Sequence, residues 1–185
     1  EGSDRGIRFK TERGRGNIIE NIYIRNIRMK NLTYEAINMN TFYTGPGAMG
    51  PSPLIRNIHI KDIEIDGVPT AIALIGLPEK WLENITLENI VIKNAERGAR
   101  INRVKNLTLR NVDISSADRA MIANNVYEFS FENVTLRDNE ESAPLLFEGE
   151  FTGAVFIDNF PMDHIEFGRG TSEDVIMRER RIQAW

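Results

Sequence analysis

The chain has 185 residues, of which 41% are hydrophobic and 27% charged, with a formal net charge of −4 and a pI near 5.4. This composition excludes a disordered tail and a collagen-like repeat, and the absence of cysteine excludes disulfides and thiolate metal sites. The acidic balance argues against a nucleic-acid partner. No apolar run approaches the ~20 residues of a membrane span, so no membrane partner is expected.

The first predicted element is a short strand near the N-terminus, in the stretch GIRFKTERGRGNIIEN. In an extended chain Ile7 and Phe9 point to one side, and Arg8 and Lys10 point to the other, roughly 6–7 Å apart. We therefore expect a pair of cations on the outer face of this strand.

A nine-residue pattern then recurs five times, in which two turn formers lie five residues apart and alternating apolar and polar residues follow each. The 24 isoleucines and 18 asparagines of the chain are concentrated in this pattern. A third turn former follows after another five residues. The first turn formers are Asn21, Asn57, Asn84, Asn106 and Glu128; the second are Asn26, Asp62, Asn89, Asn111 and Asn133; the third are Asn31, Gly67, Asn94, Ser116 and Asp138.

The phase of the apolar residues indicates the architecture. Ile22 and Ile24 share one face by alternation, as do Ile27 and Met29, but the two pairs are out of phase by one residue. A helix would need apolar spacings of three and four, and a flat strand would keep its phase. Two short strands joined by a one-residue corner explain the slip, and Asn and Gly suit such corners because they tolerate left-handed backbone angles.

Each copy is followed by a third short strand, predicted at 36–39, 71–75, 99–101, 120–123 and 145–147. Three short strands per coil of about 22 residues are typical of a parallel β-helix. A leucine-rich repeat is the main alternative, but it would show Leu rather than Ile and one strand per unit. The sequence predicts an all-β, right-handed parallel β-helix (a solenoid) of about five to seven coils.

Two coils carry extra residues, at 44–53 (TGPGAMGPSP) and 76–80 (GLPEK). Such insertions either wall a binding surface or are simply tolerated on the outside of a solenoid. After Phe147 the pattern decays, and the basic segment 177–181 is expected to be a solvated tail or cap. We therefore assign residues 1–170 to the β-helix and 171–185 to a C-terminal tail or cap.

The predicted stacking places Arg8 and Lys10 beside Asn38 and Asn40 of the next coil, with Tyr43 close by. Arg can hold a carboxylate through two hydrogen bonds, Lys adds a point charge, and Tyr can stack on a sugar ring. The pattern therefore suits an acidic sugar, although an ordinary solvated Arg/Lys pair would look the same.

The same stretch resembles glycoside hydrolase family 28, the polygalacturonase family. Arg8-Phe9-Lys10 is similar to its Arg-Ile-Lys motif, and Gly14-Arg15-Gly16-Asn17 to the Gly-Arg-Gly-Gly turn that follows. The resemblance covers roughly residues 6–139 and implies that Arg8, Lys10 and Tyr43 bind the carboxylate of galacturonate. It also implies a secreted or periplasmic location. Separately, no cofactor or metal is expected.

The resemblance fails at the catalytic motifs. The family inverts its substrate with Asp residues in Asn-Thr-Asp and Asp-Asp motifs, followed by Gly-His-Gly, and none of these occurs in this sequence. An inverting pair needs an acid and a base ~6.5–9.5 Å apart. His59, His164 and the group Asp62, Glu64 and Asp66 are expected to be surface residues. No catalytic residue is therefore assigned.

Three functions stay open at this point. The first is the C-terminal part of a polygalacturonase-like hydrolase, inactive alone, whose catalytic Asp residues lie in N-terminal coils that this chain lacks. The second is a non-catalytic β-helix that binds acidic polysaccharide or oligogalacturonide through Arg8, Lys10 and Tyr43. The third is a purely structural solenoid. A calcium-dependent pectate lyase is disfavoured because its site needs clustered outward Asp residues.

Overall fold

The computed structural model describes residues 2–177, so most of the predicted basic tail lies outside the described residues. Ten strands follow one another in chain order, with two short 3₁₀ turns, Met162–His164 and Glu173–Val175, near the end. The strands are β1 (Ile7–Lys10), β2 (Ile18–Lys30), β3 (Glu35–Asn40), β4 (Leu54–Ile75), β5 (Leu82–Ser116), β6 (Met121–Arg137), β7 (Leu145–Glu148), β8 (Gly153–Asp158), β9 (Ile165–Phe167) and β10 (Ile176–Met177).

The strands stack in parallel from one coil to the next. Every register between named strands in the described residues is parallel, and the strand order β1-β3-β4-β5-β6-β7-β9 runs along the axis. In each coil a third short strand follows the two strands of the repeat. We call the stack of these third strands the third-strand column; one inward row of it runs through Ile7, Ile37, Ile72, Ala99, Met121, Leu145 and Ile165. The predicted parallel β-helix is confirmed.

The chain turns between strands at single residues in the left-handed region. The first corner is occupied in successive coils by Asn21, Asn57, Asn84, Asn106, Glu128 and Ala154, and the second by Asn26, Asp62, Asn89, Asn111, Asn133 and Asn159, all with φ of 49–59°. The repeat therefore continues into a sixth copy, which the sequence hides because alanine is not a turn former. β10 pairs with β8, so stacking also extends past residue 170.

The third corner differs from the prediction in two coils. Asn31, Gly67 and Asn94 are left-handed, but Ser116 and Asp138 are not among the left-handed residues of the described chain. There, side-chain hydrogen bonds shape the turn instead: the Ser116 hydroxyl donates to the carbonyl of Asp118 at 2.7 Å, and the Asp138 carboxylate accepts from the Ala120 N–H at 2.7 Å.

The corner amides form ladders along the axis. At the first corner the side-chain Nδ2 groups of Asn57, Asn84 and Asn106 donate to Oδ1 of the residue one coil earlier, at 2.8–3.0 Å. A second ladder runs from Asn159 down to Asp62 in the same direction. These bonds tie neighbouring coils together outside the core.

The inward residues of the repeat fill one continuous core of Ile, Leu, Val and Phe. Toward the C-terminal coils it becomes aromatic, with Phe131 in edge-to-face contact with Phe129 and Phe160 at 5.0 and 5.4 Å between ring centroids. Aromatic pairs of this geometry add about 0.5–1.5 kcal/mol beyond their buried area.

The N-terminal end of the stack is open. The inward residues of β2, namely Ile22, Ile24, Ile27 and Met29, are only half-buried. Their partners one coil later, Ile58, Ile60, Ile63 and Ile65, are at most 2% exposed. The first coil therefore carries the same apolar pattern as the others but presents it at an uncovered end. None of the described residues forms a helix long and apolar enough to cross a membrane.

Candidate functional site

Two outward rows of the third-strand column bring the predicted cations beside two amides. β1 pairs with β3 in the register Arg8↔Asn38 and Lys10↔Asn40, as the alternation of inward and outward residues predicts. Ile7 and Ile37 lie buried beneath them. The core thus fixes the backbone positions of all four polar residues.

Tyr43 lies against both cations. Its ring centroid is 5.3 Å from Cζ of Arg8 and 4.7 Å from Nζ of Lys10, within the range of cation–π attraction. Hydrogen bonding to Arg8 and the positive charges of Lys10 and Arg8 lower the pKa of the Tyr43 phenol. Tyr43 is 43% exposed, so the cations and the aromatic residue together form an accessible surface.

This group contains unsatisfied polar atoms. Nε of Arg8 and Oδ1 of Asn38 are buried without a hydrogen-bond partner in the described residues, and Asn38 as a whole is only 6% exposed. Each such atom costs about 1–3 kcal/mol. No ion pair with a carboxylate is found for Arg8 or Lys10 among residues 2–177. Within the described residues, no internal carboxylate therefore neutralises Arg8 or Lys10, and both charges can attract an anionic ligand.

Both predicted insertions lie at the corner that follows the third-strand column, and one carboxylate joins them. Glu79 of the second insertion accepts two hydrogen bonds from Arg13, at 2.7 and 2.9 Å, and one from the Ser52 hydroxyl of the first, at 2.6 Å. The hydrogen bonds from Arg13 and Ser52 lower the pKa of Glu79 to about 2. We call this contact the Glu79 clasp. It connects the two insertions with each other and with the turn after β1.

The turn after β1 packs tightly against the first insertion. Gly14 has φ of +81°, and its N–H donates to the carbonyl of Pro51 at 3.1 Å. A Cβ at this position would lie 2.5 Å from the carbonyl oxygen of Met49. Only glycine fits, which explains the Gly at the start of the Gly-Arg-Gly-Asn turn.

Beyond the predicted residues, the two outward rows continue along the column. The row of Arg8 and Asn38 proceeds through Ala73, Arg100 and Ile122, and the row of Lys10 and Asn40 through Ile75, Asn102 and Asn124. We call these two rows the polar strip. Sequence reasoning did not single out Arg100, Asn102 or Asn124, although the phase of the third strands would have placed them there.

The remaining candidates lie elsewhere. His59 is on the outer face of β4, with Nε2 3.3 Å from Oε2 of Glu88, and His164 is an exposed residue of a 3₁₀ turn. Asp62 forms a corner, Glu64 pairs with Arg28 at 3.0 Å, and Asp66 accepts from Asn94. Within residues 2–177 no group of three or more His, Asp or Glu side chains could hold a metal ion.

Comparison with known proteins gives a distant relative. A "Probable polygalacturonase" of Vitis vinifera is 28% identical over 105 residues, which cover 54% of this chain and 21% of that protein. The matched part is thus about a fifth of the relative's length. No protein-family profile matches the chain, and no solved structure matches it. The match indicates a polygalacturonase-like relationship, which is distant and covers about half of the chain.

Proposed function

We propose that this chain forms the substrate-holding, C-terminal part of a polygalacturonase-like glycoside hydrolase that cleaves pectic, galacturonate-containing polysaccharide. The observation that carries the proposal is the cluster of Arg8, Lys10 and Tyr43, in which two cations without a carboxylate partner among residues 2–177 lie against one aromatic ring. A carboxylated sugar offers the anion that the cations lack and a ring that can lie on Tyr43.

Each group has a distinct role in this proposal. Arg8 is half-buried in register with Asn38, and its Nε has no partner in the described residues, so it supplies directed hydrogen bonds to the substrate carboxylate. Lys10 is exposed at the end of β1 and adds positive charge without fixed geometry. Tyr43 packs against both cations and orients them while its ring offers a surface to the sugar. The group binds and orients substrate and performs no proton transfer.

The catalytic acid and base are proposed to come from coils that stack on the N-terminal end. Two observations support this: the apolar residues Ile22, Ile24, Ile27 and Met29 are uncovered there, and the chain aligns with about a fifth of its longer relative. In the complete protein, an inverting pair would lie across the glycosidic bond from each other. Such a protein acts on extracellular polymer, so export from the cytoplasm belongs to the same proposal.

Binding and hydrolysis test the two parts separately. Titration calorimetry should show that the chain binds oligogalacturonate and that Arg8→Ala weakens binding by roughly 10- to 100-fold, since a hydrogen bond to a charged group contributes about 1.5–3 kcal/mol. Lys10→Ala should cost less, because an exposed charge contributes about 0.2–1 kcal/mol. Fully methyl-esterified oligomer is the neutral control and should bind weakly.

Reducing-end release from polygalacturonate should be undetectable with this chain and restored when the preceding coils are present. Hydrolysis by the chain alone would refute the placement of the acid and base outside it. Binding without hydrolysis in the longer protein would favour the alternative, a non-catalytic acidic-polysaccharide binder. No binding in either form would overturn the proposed substrate class.

A further inference from the structure

Arg100 occupies the same outward row as Arg8, three strands further along the axis. The register runs Arg8↔Asn38, Asn38↔Ala73 and Ala73↔Arg100. Three strand spacings of ~4.8 Å separate the two positions by about 14 Å. The two residues between them in this row, Asn38 and Ala73, have short side chains and are both buried.

The Arg100 guanidinium is held by backbone rather than by acid. Its Nη1 donates to the carbonyls of Ala99 and Arg119, both at 3.1 Å, and within residues 2–177 no carboxylate forms an ion pair with it. This arrangement fixes one nitrogen of the planar group and leaves the other donors for a ligand.

The surrounding charges add to the cationic character of this position. Burial, together with the charges of Arg97 and Arg119, lowers the pKa of Arg100, and Asp118 opposes them. Arg119 already pairs with Glu166 at 2.8 Å, and Nε of Arg97 donates to the Thr70 hydroxyl at 3.1 Å. Within residues 2–177 Arg100 thus has Asp118 as an acidic neighbour but no carboxylate in ion-pair contact.

We propose that Arg100 forms a second carboxylate subsite, which binds a later uronate unit of the same polymer chain whose earlier unit lies at Arg8 and Lys10. The inference rests on the proposed function, because the polymer supplies the second carboxylate. The row between the two arginines runs along the axis, so the sugar chain lies parallel to the axis. A monosaccharide at Arg8 is too short to reach Arg100.

The length dependence of binding tests this subsite. Calorimetry with galacturonate oligomers of one to six units should show that Arg100→Ala weakens the longest oligomers about tenfold, equivalent to about 1.4 kcal/mol, and leaves the monomer within about twofold. Arg8→Ala should weaken every length. Arg25→Ala removes an exposed arginine of β2 and should change neither, which controls for the loss of one positive charge.

Arg100→Lys guards against a folding defect in the alanine variant. Lysine keeps the charge but cannot donate two parallel hydrogen bonds, so a loss of about threefold, confined to the long oligomers, is expected. Equal loss at all lengths, or no loss at any length, would overturn the subsite while Arg8 still binds. If the unaltered protein binds no oligogalacturonate, the proposed function fails as well.

Discussion

The Glu79 clasp gives a prediction whose size follows from its geometry. In the native protein the Glu79 carboxylate accepts two hydrogen bonds from Arg13 and one from Ser52. Glu79→Gln keeps the shape of the side chain but removes its negative charge. Glu79 is 46% exposed, so water screens the pair, and the upper end of the range for exposed pairs, about 1 kcal/mol, is the appropriate loss. For a chain of this size it lowers Tm by about 2–4 °C.

The pH dependence of this loss identifies its cause. The folded-state pKa of Glu79 is lowered from 4.5 to about 2, so the carboxylate stabilises the fold above about pH 4.5 and loses that contribution progressively as pH falls toward 2. The Tm difference between Glu79→Gln and the unaltered protein should therefore be full at pH 7 and much smaller at pH 3.

Differential scanning calorimetry at the two pH values measures this difference. Glu141→Gln removes the charge of an exposed glutamate in the loop after β6 and serves as the matched control, with little expected effect at pH 7. An equal Tm for Glu79→Gln and Glu141→Gln at pH 7, or a difference for Glu79→Gln that persists undiminished at pH 3, would refute the electrostatic origin of the clasp.

Three further predictions address the core, the corners and the site. Phe131→Ala removes a fully buried ring and should lower the free energy of unfolding by about 3–5 kcal/mol in urea titrations; a loss below about 1 kcal/mol would contradict the aromatic core. Asn111→Ala should be more destabilising than Asn111→Gly, because alanine at φ of 52° costs about 1–2 kcal/mol that glycine avoids, and equal urea midpoints would argue against a left-handed corner. Spectrophotometric titration of Tyr43, taken as the difference from Tyr43→Phe, should give a pKa below 10 that rises in Arg8→Ala; an unchanged pKa would contradict the hydrogen bond to Arg8.

The corners show why the fold was readable from the sequence. Asn21 and Asn26 occupy left-handed corners, and asparagine is one of the few residues that adopt this conformation at low cost. Apolar residues alternate with polar ones along each short strand, and the alternation shifts by one residue at each such corner. Few structures other than stacked short strands explain this pattern. The same alternation placed Arg8 beside Asn38 correctly, because register follows from which residues face the core.

Some corners and contacts carry no such signal. Arg103 turns the chain at φ of 59° after the third strand of its coil. Arginine has no turn preference, so the stacking of its neighbours imposes that conformation. The Glu79 clasp joins residues 66 and 27 positions apart across irregular loops. No periodicity predicts such a contact, since it depends on the path of the loops in space.

The amide ladders have a direction, and this makes the two ends of the stack chemically unequal. At the first corner Asn57, Asn84 and Asn106 each donate a side-chain N–H to the preceding coil. At the first corner, Asn21 accepts from Asn57, and its own Nδ2 group has no partner in the described residues. A surface that continues this ladder at the N-terminal end must therefore bring a carbonyl or carboxylate oxygen.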